Sequence, residues 1–341
     1  MLTRRPWLAA AFALGLAAPA AAQDATPAAA TQIPVVASFS ILGDFVKEVG
    51  GDRVAVTTLV GPNGDAHVFQ PAPADAKKVA GAKVVFVNGL GFEGWIDRLV
   101  KASGTKADVV VATKGIEPRE MAEEEDGHEA AHDHDKAHDH DHDHDKHAEG
   151  KAQDHDHAHD HAHDHGGIDP HAWQSVGNAK RYVANVRDAL IAADPAGQAT
   201  YEANAAAYTA KLEALDAEVK AAVAKIPADK RRIITSHDAF GYFGAAYGIE
   251  FVAPQGVSTE AEASAKDVAR IIRQIKTEKI PAVFVENISD PRLVKRISEE
   301  TGAKIGGELY SDALSDDKGP ASTYIDMMNN NVRELSSALS S

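Results

Sequence analysis

From Pro34 onward, short apolar runs alternate with stretches whose apolar residues recur every three or four positions. The first series predicts a strand over Pro34–Phe39, a helix over Ile41–Val49 ending at Gly50-Gly51, and a strand over Arg53–Val60. A short helix over Pro73–Ala80, a strand over Lys83–Asn88, a helix over Phe92–Ala102 and a strand over Asp108–Ala112 follow. The order is βαβαβαβ. Strands that are apolar throughout, separated by helices, imply a parallel sheet covered on both faces.

Val176–Ala224 is Ala-rich, with Leu212, Leu215, Val219 and Val223 at helical spacing and a break mainly near Asp194-Pro195. It reads as one long helical segment. A second alternating series then repeats the plan, with strands over Arg232–Thr235, Glu250–Ala253, Ala282–Glu286 and Lys304–Leu309. Its helices are expected over Phe240–Tyr247, Ala265–Thr277, Arg292–Glu300 and Tyr324–Leu339. The fold class is therefore α/β: two similar lobes with parallel sheets flanked by helices, joined by a helix. The expected boundaries are 32–175 for the N-terminal lobe, 176–225 for the linking helix and 226–341 for the C-terminal lobe. Two such lobes make a cleft, and its ligands belong beyond the carboxyl ends of the strands.

Residues 1–22 fall outside this plan. Arg4 and Arg5 precede an apolar run from Trp7 to Ala18, and Ala20-Ala21-Ala22 offers a small-residue cleavage site before Gln23. This predicts an export signal, too short to span a bilayer; paired arginines fit either the general or the twin-arginine route. The chain has no cysteine, which excludes disulfides, thiolate metal sites, cysteine nucleophiles and a lipidated cysteine. An exported protein without an anchor points to a periplasm as its compartment.

Charge changes the picture only locally. The net charge is −16, but the segment Glu123–His165 holds 16 acidic residues against Lys136, Lys146 and Lys151, which is −13. The rest carries −3, with nothing basic or patterned for nucleic acid. This tract, within a loop expected over 123–166, cannot bury a core and interrupts the first lobe.

Of 17 histidines, 14 lie in that tract, which leaves His67, His171 and His237. Each follows a predicted strand: His67 the second, His171 the fourth by way of the loop, and His237 the first strand of the second lobe. The corresponding place after Lys304–Leu309 offers Tyr310-Ser311-Asp312. Three imidazoles and one carboxylate make a four-ligand set suited to Zn²⁺, whereas Mn²⁺ favours more carboxylate. Four protein ligands close the site, which suits capture and release rather than catalysis. In the loop, His138, His140, His142, His144, His155, His157, His159, His161, His163 and His165 alternate mostly with Asp. They predict auxiliary low-affinity zinc chelation that weakens in acid as the imidazoles protonate.

The residues resemble the zinc- and manganese-binding solute-binding proteins of ABC importers, of the ZnuA type. The likeness covers essentially the whole chain after the signal. It rests on Val35-Val36-Ala37-Ser38-Phe39-Ser40-Ile41 with Asp44, on Asp65-Ala66-His67 followed by Phe69-Gln70-Pro71-Ala72-Pro73, and on Asn88-Gly89 with Gly91-Phe92-Glu93 and Trp95. Asp169-Pro170-His171-Ala172-Trp173, Ser236-His237-Asp238-Ala239-Phe240-Gly241-Tyr242-Phe243 and Val285-Glu286 extend it. The resemblance implies a long rigid helix between lobes, metal in the interlobe cleft, and His67, His171, His237 and Asp312 as ligands. It also implies an ABC permease as partner, with a periplasmic zinc metallochaperone as a further partner, and a monomer. Manganese-selective members tend to carry a carboxylate where this chain has His237. Ala66 stands where many relatives have proline, and the insertion is unusually long.

Other classes remain open on the residues alone. An exported zinc hydrolase would need a general base, for which Glu286 is the candidate, yet no His-Glu-x-x-His helix or nucleophile motif is present. Glu286 reads more readily as a hydrogen-bond acceptor behind the ligands, or as a rival to Asp312 for the fourth position. A zinc buffer that stores metal in the loop, or a manganese receptor, would share much of this sequence.

Overall fold

The computed structural model describes residues 32–120 and 167–340. The expected signal and the His-rich loop, with all its candidate auxiliary ligands, lie outside the described residues.

Two four-stranded parallel sheets form the frame. The first contains β1 (Ile33–Phe39), β2 (Val54–Val60), β3 (Val84–Val87) and β4 (Asp108–Val111) in the order β2-β1-β3-β4. A two-residue antiparallel pair, β5 (Arg119–Glu120) with β6 (Ile168–Asp169), closes the chain across the 121–166 insertion. The second sheet contains β7 (Arg232–Ile234), β8 (Glu250–Val252), β9 (Ala282–Glu286) and β10 (Lys304–Leu309) in the order β10-β9-β7-β8. Counted within each lobe, both orders are 2-1-3-4. The winding reverses beside the first strand of each, which opens a crevice at the carboxyl edge.

In the first lobe the helices are α1 (Ser40–Gly50), α2 (Pro73–Ala80) and α3 (Ile96–Ser103). Proline opens α2, and Asp75 accepts the Ala72 N–H at 2.9 Å, satisfying an otherwise orphaned donor. The helix expected from Phe92 starts only at Ile96. Leu90 and Gly91 adopt positive φ, and Glu93 turns inward to accept the N–H groups of Asn88 and Gly89 at the end of β3.

The segment expected as one helix is two: α4 (Val176–Ala193) and α5 (Gln198–Ala224), separated by a 3₁₀ turn over Pro195–Gly197. Proline inside a helix costs about 3 kcal/mol or more, and here the chain leaves helical geometry at Asp194, with φ −139°. The Asp194 carboxylate fixes the corner through Arg53, at 2.6 and 2.9 Å, and the Tyr201 hydroxyl at 2.8 Å. The helix α4 packs on α5, α1 and β3 of the first lobe. By contrast, α5 reaches both lobes, touching α1 as well as α6 (Gly241–Tyr247) and α9 (Tyr324–Leu339). The remaining helices are α7 (Ala265–Glu278) and α8 (Arg292–Thr301), which cover the second sheet with a smaller apolar cluster around Ile271, Val283 and Ile297.

The larger core is continuous from Phe39, Phe45 and Phe86 through Trp173, Tyr182 and Tyr324 to Phe284 and Leu335. An unbroken apolar seam of this kind opposes wide hinge opening, because parting the lobes would expose it to water.

Candidate metal centre

The four cleft residues singled out in the sequence converge. His67 lies beyond β2, His171 just after β6, His237 just after β7 and Asp312 just after β10. All four are buried, and their ligand atoms lie within 4.8 Å of one another. Nε2 of His67 is 3.3 Å from Nε2 of His171 and 3.3 Å from Asp312 Oδ2. Nε2 of His237 is 3.2 Å from Asp312 Oδ2, and Nε2 of His171 is 3.5 Å from Asp312 Oδ1. A tetrahedral ion with ligands at about 2.0–2.1 Å has edges of about 3.3 Å. Both Asp312 oxygens and His237 Nε2 are buried and make only ion-pair contacts within the cluster, without a well-directed hydrogen bond. A cation at the centre would satisfy all three and relieve a cost that buried, unpaired polar groups otherwise impose.

Two of the three imidazoles, His171 and His237, are aimed from behind. Asp169 Oδ1 accepts the His171 backbone N–H at 3.0 Å and faces its Nδ1 at 2.9 Å. Glu286 Oε1 accepts the N–H groups of Ser236 and His237 at 2.8 and 2.9 Å, and its Oε2 lies 2.6 Å from His237 Nδ1. Carboxylates at Nδ1 leave Nε2 free to face a metal and raise ligand basicity. Glu286 is thus engaged behind His237, in place of the general base or fourth ligand that the sequence left open.

The His67 loop has its own supports. Asp65 accepts the His67 N–H at 2.9 Å, and Trp95 Nε1 donates to Ala66 O at 2.7 Å, so the loop is fixed without a proline at Ala66. Phe92 lies edge-on to the His67 ring, with centroids 4.8 Å apart. The Asp312 loop is gripped on both sides: Trp173 Nε1 and Gln174 Nε2 donate to Ser311 O at 2.9 and 2.7 Å, while Asn331 bonds both N–H and C=O of Tyr310. The sequence motifs contained Asp169, Trp173 and Trp95 without marking these roles; Gln174 and Asn331 carry no local signal, because their partners lie 137 and 21 residues away.

In the metal-free protein the cluster is electrostatically coupled. Burial pushes the His171 imidazole down, but Asp312 and Asp169 outweigh it and carry its pKa up to about 9. His237 is likewise raised against burial, by Glu286 and Asp312. Burial would raise Asp312, yet the two imidazoles hold it well below the usual carboxylate range.

Residues 35–338 match the family described as zinc-uptake complex component A, periplasmic (ZnuA). The chain belongs to this family. It is a substrate-binding protein of a metal ABC importer, which works with a membrane permease, and is not an enzyme. The manganese-binding lipoprotein MntA of Halalkalibacterium halodurans is 33% identical over 308 residues, covering 90% of this chain and 89% of the relative. The iron-binding protein YfeA of Yersinia pestis is 32% identical over 322 residues, covering 94% and 91%. The periplasmic zinc-binding protein TroA from Treponema pallidum superposes with TM-score 0.74 at 27% identity, over 91% of this chain and 100% of that one. These relatives are named for different metals, so family membership establishes a divalent-metal receptor without choosing the ion.

Proposed function

We propose that the protein captures Zn²⁺ with high affinity in the periplasm and delivers it to an ABC-type zinc import permease, with His67, His171, His237 and Asp312 as ligands. The observation that carries the reading is the donor set: three imidazole nitrogens and one carboxylate, an N₃O arrangement whose ligand atoms all lie within 4.8 Å of one another, with His67 Nε2 3.3 Å from His171 Nε2 and each imidazole 3.2–3.5 Å from an Asp312 oxygen. A Mn²⁺ site would be expected to recruit more oxygen, yet Glu286 and Asp169 are turned to the backs of the imidazoles. The His-rich segment gathers or senses zinc, and a periplasmic metallochaperone is a further partner. Several relatives are lipoproteins by name; this chain has no cysteine to lipidate, which favours a periplasmic protein without a lipid, released by cleavage near Ala22-Gln23. No helix among the described residues is long and apolar enough to cross a membrane.

The test is growth of a deletion strain under zinc chelation and, separately, under manganese limitation. The reading expects the wild-type gene to restore growth under zinc chelation and the His67→Ala gene to fail. Rescue confined to manganese limitation would replace zinc with manganese as the cargo.

A further inference from the structure

His171 is held from the side away from the metal position by a single carboxylate oxygen, Asp169 Oδ1. The other oxygen, Oδ2, takes Arg119 Nη1 as its donor at 3.4 Å. Asp169 and His171 are both fully buried, so solvent has no route to Oδ2, whereas the Arg119 side chain is 37% exposed and links the buried carboxylate to the surface.

Arg119 is itself fixed from outside the cleft. It is the register partner of Asp169 in the β5–β6 ladder, and its N–H donates to the Tyr242 hydroxyl at 2.8 Å. Gly241, the first residue of α6, packs where an added Cβ would collide with Arg119 Nη1 and Asp169 Oδ2. Glycine at this position thereby leaves room for the ion pair at the seam between the lobes.

We propose that Arg119 is a positioning residue for metal binding: it holds Asp169 so that the carboxylate receives the Nδ1–H of His171 and Nε2 presents its lone pair to the metal. The inference rests on the reading of the cleft as the metal site and adds a residue that touches neither metal nor ligand. Without the guanidinium, a buried carboxylate oxygen loses its donor and the carboxylate is free to turn, which loosens the ring it orients. Substitutions directly behind a ligand typically cost 10–100-fold in affinity; one bond further out, with a partly exposed donor, about tenfold is expected.

The experiment uses the full chain, zinc alone as probe and competition with a chelator strong enough to read the tightest site. Arg119→Gln, Arg119→Lys and His171→Ala are compared with wild type, alongside metal-free melting temperatures and the visible spectrum of one equivalent of Co²⁺. The expected result is an affinity about tenfold weaker for Arg119→Gln, with an altered Co²⁺ band, and in Arg119→Lys most of the affinity restored whether or not the metal-free melting temperature falls slightly in both. If Arg119→Gln binds as wild type while His171→Ala loses the site, this inference fails and the metal-site reading stands. If His171→Ala binds as wild type, both fail. Equal weakening in Arg119→Gln and Arg119→Lys, with a lowered metal-free melting temperature, assigns Arg119 to folding alone and also overturns it.

Discussion

Nδ1 of His237 lies 2.6 Å from the Glu286 carboxylate, while Nε2 of the same ring lies 3.2 Å from Asp312. One imidazole thus joins two carboxylates of different duty: Glu286 backs the ring at Nδ1, and Asp312 faces it across the proposed metal position.

Glu286→Gln keeps an oxygen to accept the Ser236 and His237 amides but removes the charge behind the ring. Zinc affinity should fall by about 10–100-fold with little loss of fold, because the amide acceptor survives. Chelator competition against wild type measures this. An unchanged affinity would remove Glu286 from the account.

Proton linkage gives the cleft a definite pH dependence. His171 is carried to about 9 and His237 is raised, so the metal-free fold holds protons that the unfolded chain releases. Their stabilising contributions are fully present below about pH 6.5; that of His171 is lost as pH rises through about 9, and that of His237 as pH rises through its own raised value. Asp312, held low, contributes above its unfolded value of 3.8 and loses that contribution as pH falls through its lower folded value. A metal must displace the imidazole protons. Apparent zinc affinity should therefore rise between pH 6.5 and 9 by about tenfold per pH unit for each proton displaced, while the metal-free protein melts at progressively lower temperature. Calorimetry at pH 7.5 in two buffers of different ionisation enthalpy counts the protons, and zero release would contradict the coupling.

Asp44 offers a stability test away from the metal. Burial lifts its carboxyl to about 6, against the opposing hydrogen bond from Tyr324 N–H and with help from Glu48. The fold therefore keeps a proton that the unfolded chain loses above 3.8, and stability declines as pH rises from there to about 6. Asp44→Asn retains an acceptor for Tyr324 without the charge. It should stabilise the protein by about 3 kcal/mol at pH 8, a gain that vanishes near pH 4, as read by urea unfolding.

Much of this was legible in the chain because its signals are local. The bounds of β9, β10, α2 and α9 follow from runs such as Ala282–Glu286 and from the proline that opens Pro73–Ala80, which need no knowledge of tertiary contacts. The four cleft residues stood out because each follows a strand, and parallel strands deliver their ends to one edge. Less accessible were features decided by distant partners. Pro195 sits between two Ala-rich stretches, and the Arg53 and Tyr201 contacts with Asp194 help make it a corner rather than a kink. The β5–β6 pair is two residues long, too short for any period, and its strands are separated by the insertion. Glu93 looked like part of a helix start because its use at the end of β3 depends on backbone turns at Leu90 and Gly91.

The most direct test of the central claim is a calorimetric zinc titration of the protein lacking residues 128–165, beside the same protein carrying His67→Ala. The cleft account predicts that one tight site survives the deletion and disappears with the substitution. Loss of tight binding on deleting the loop alone would contradict it and leave a protein that stores zinc in its histidine-rich segment.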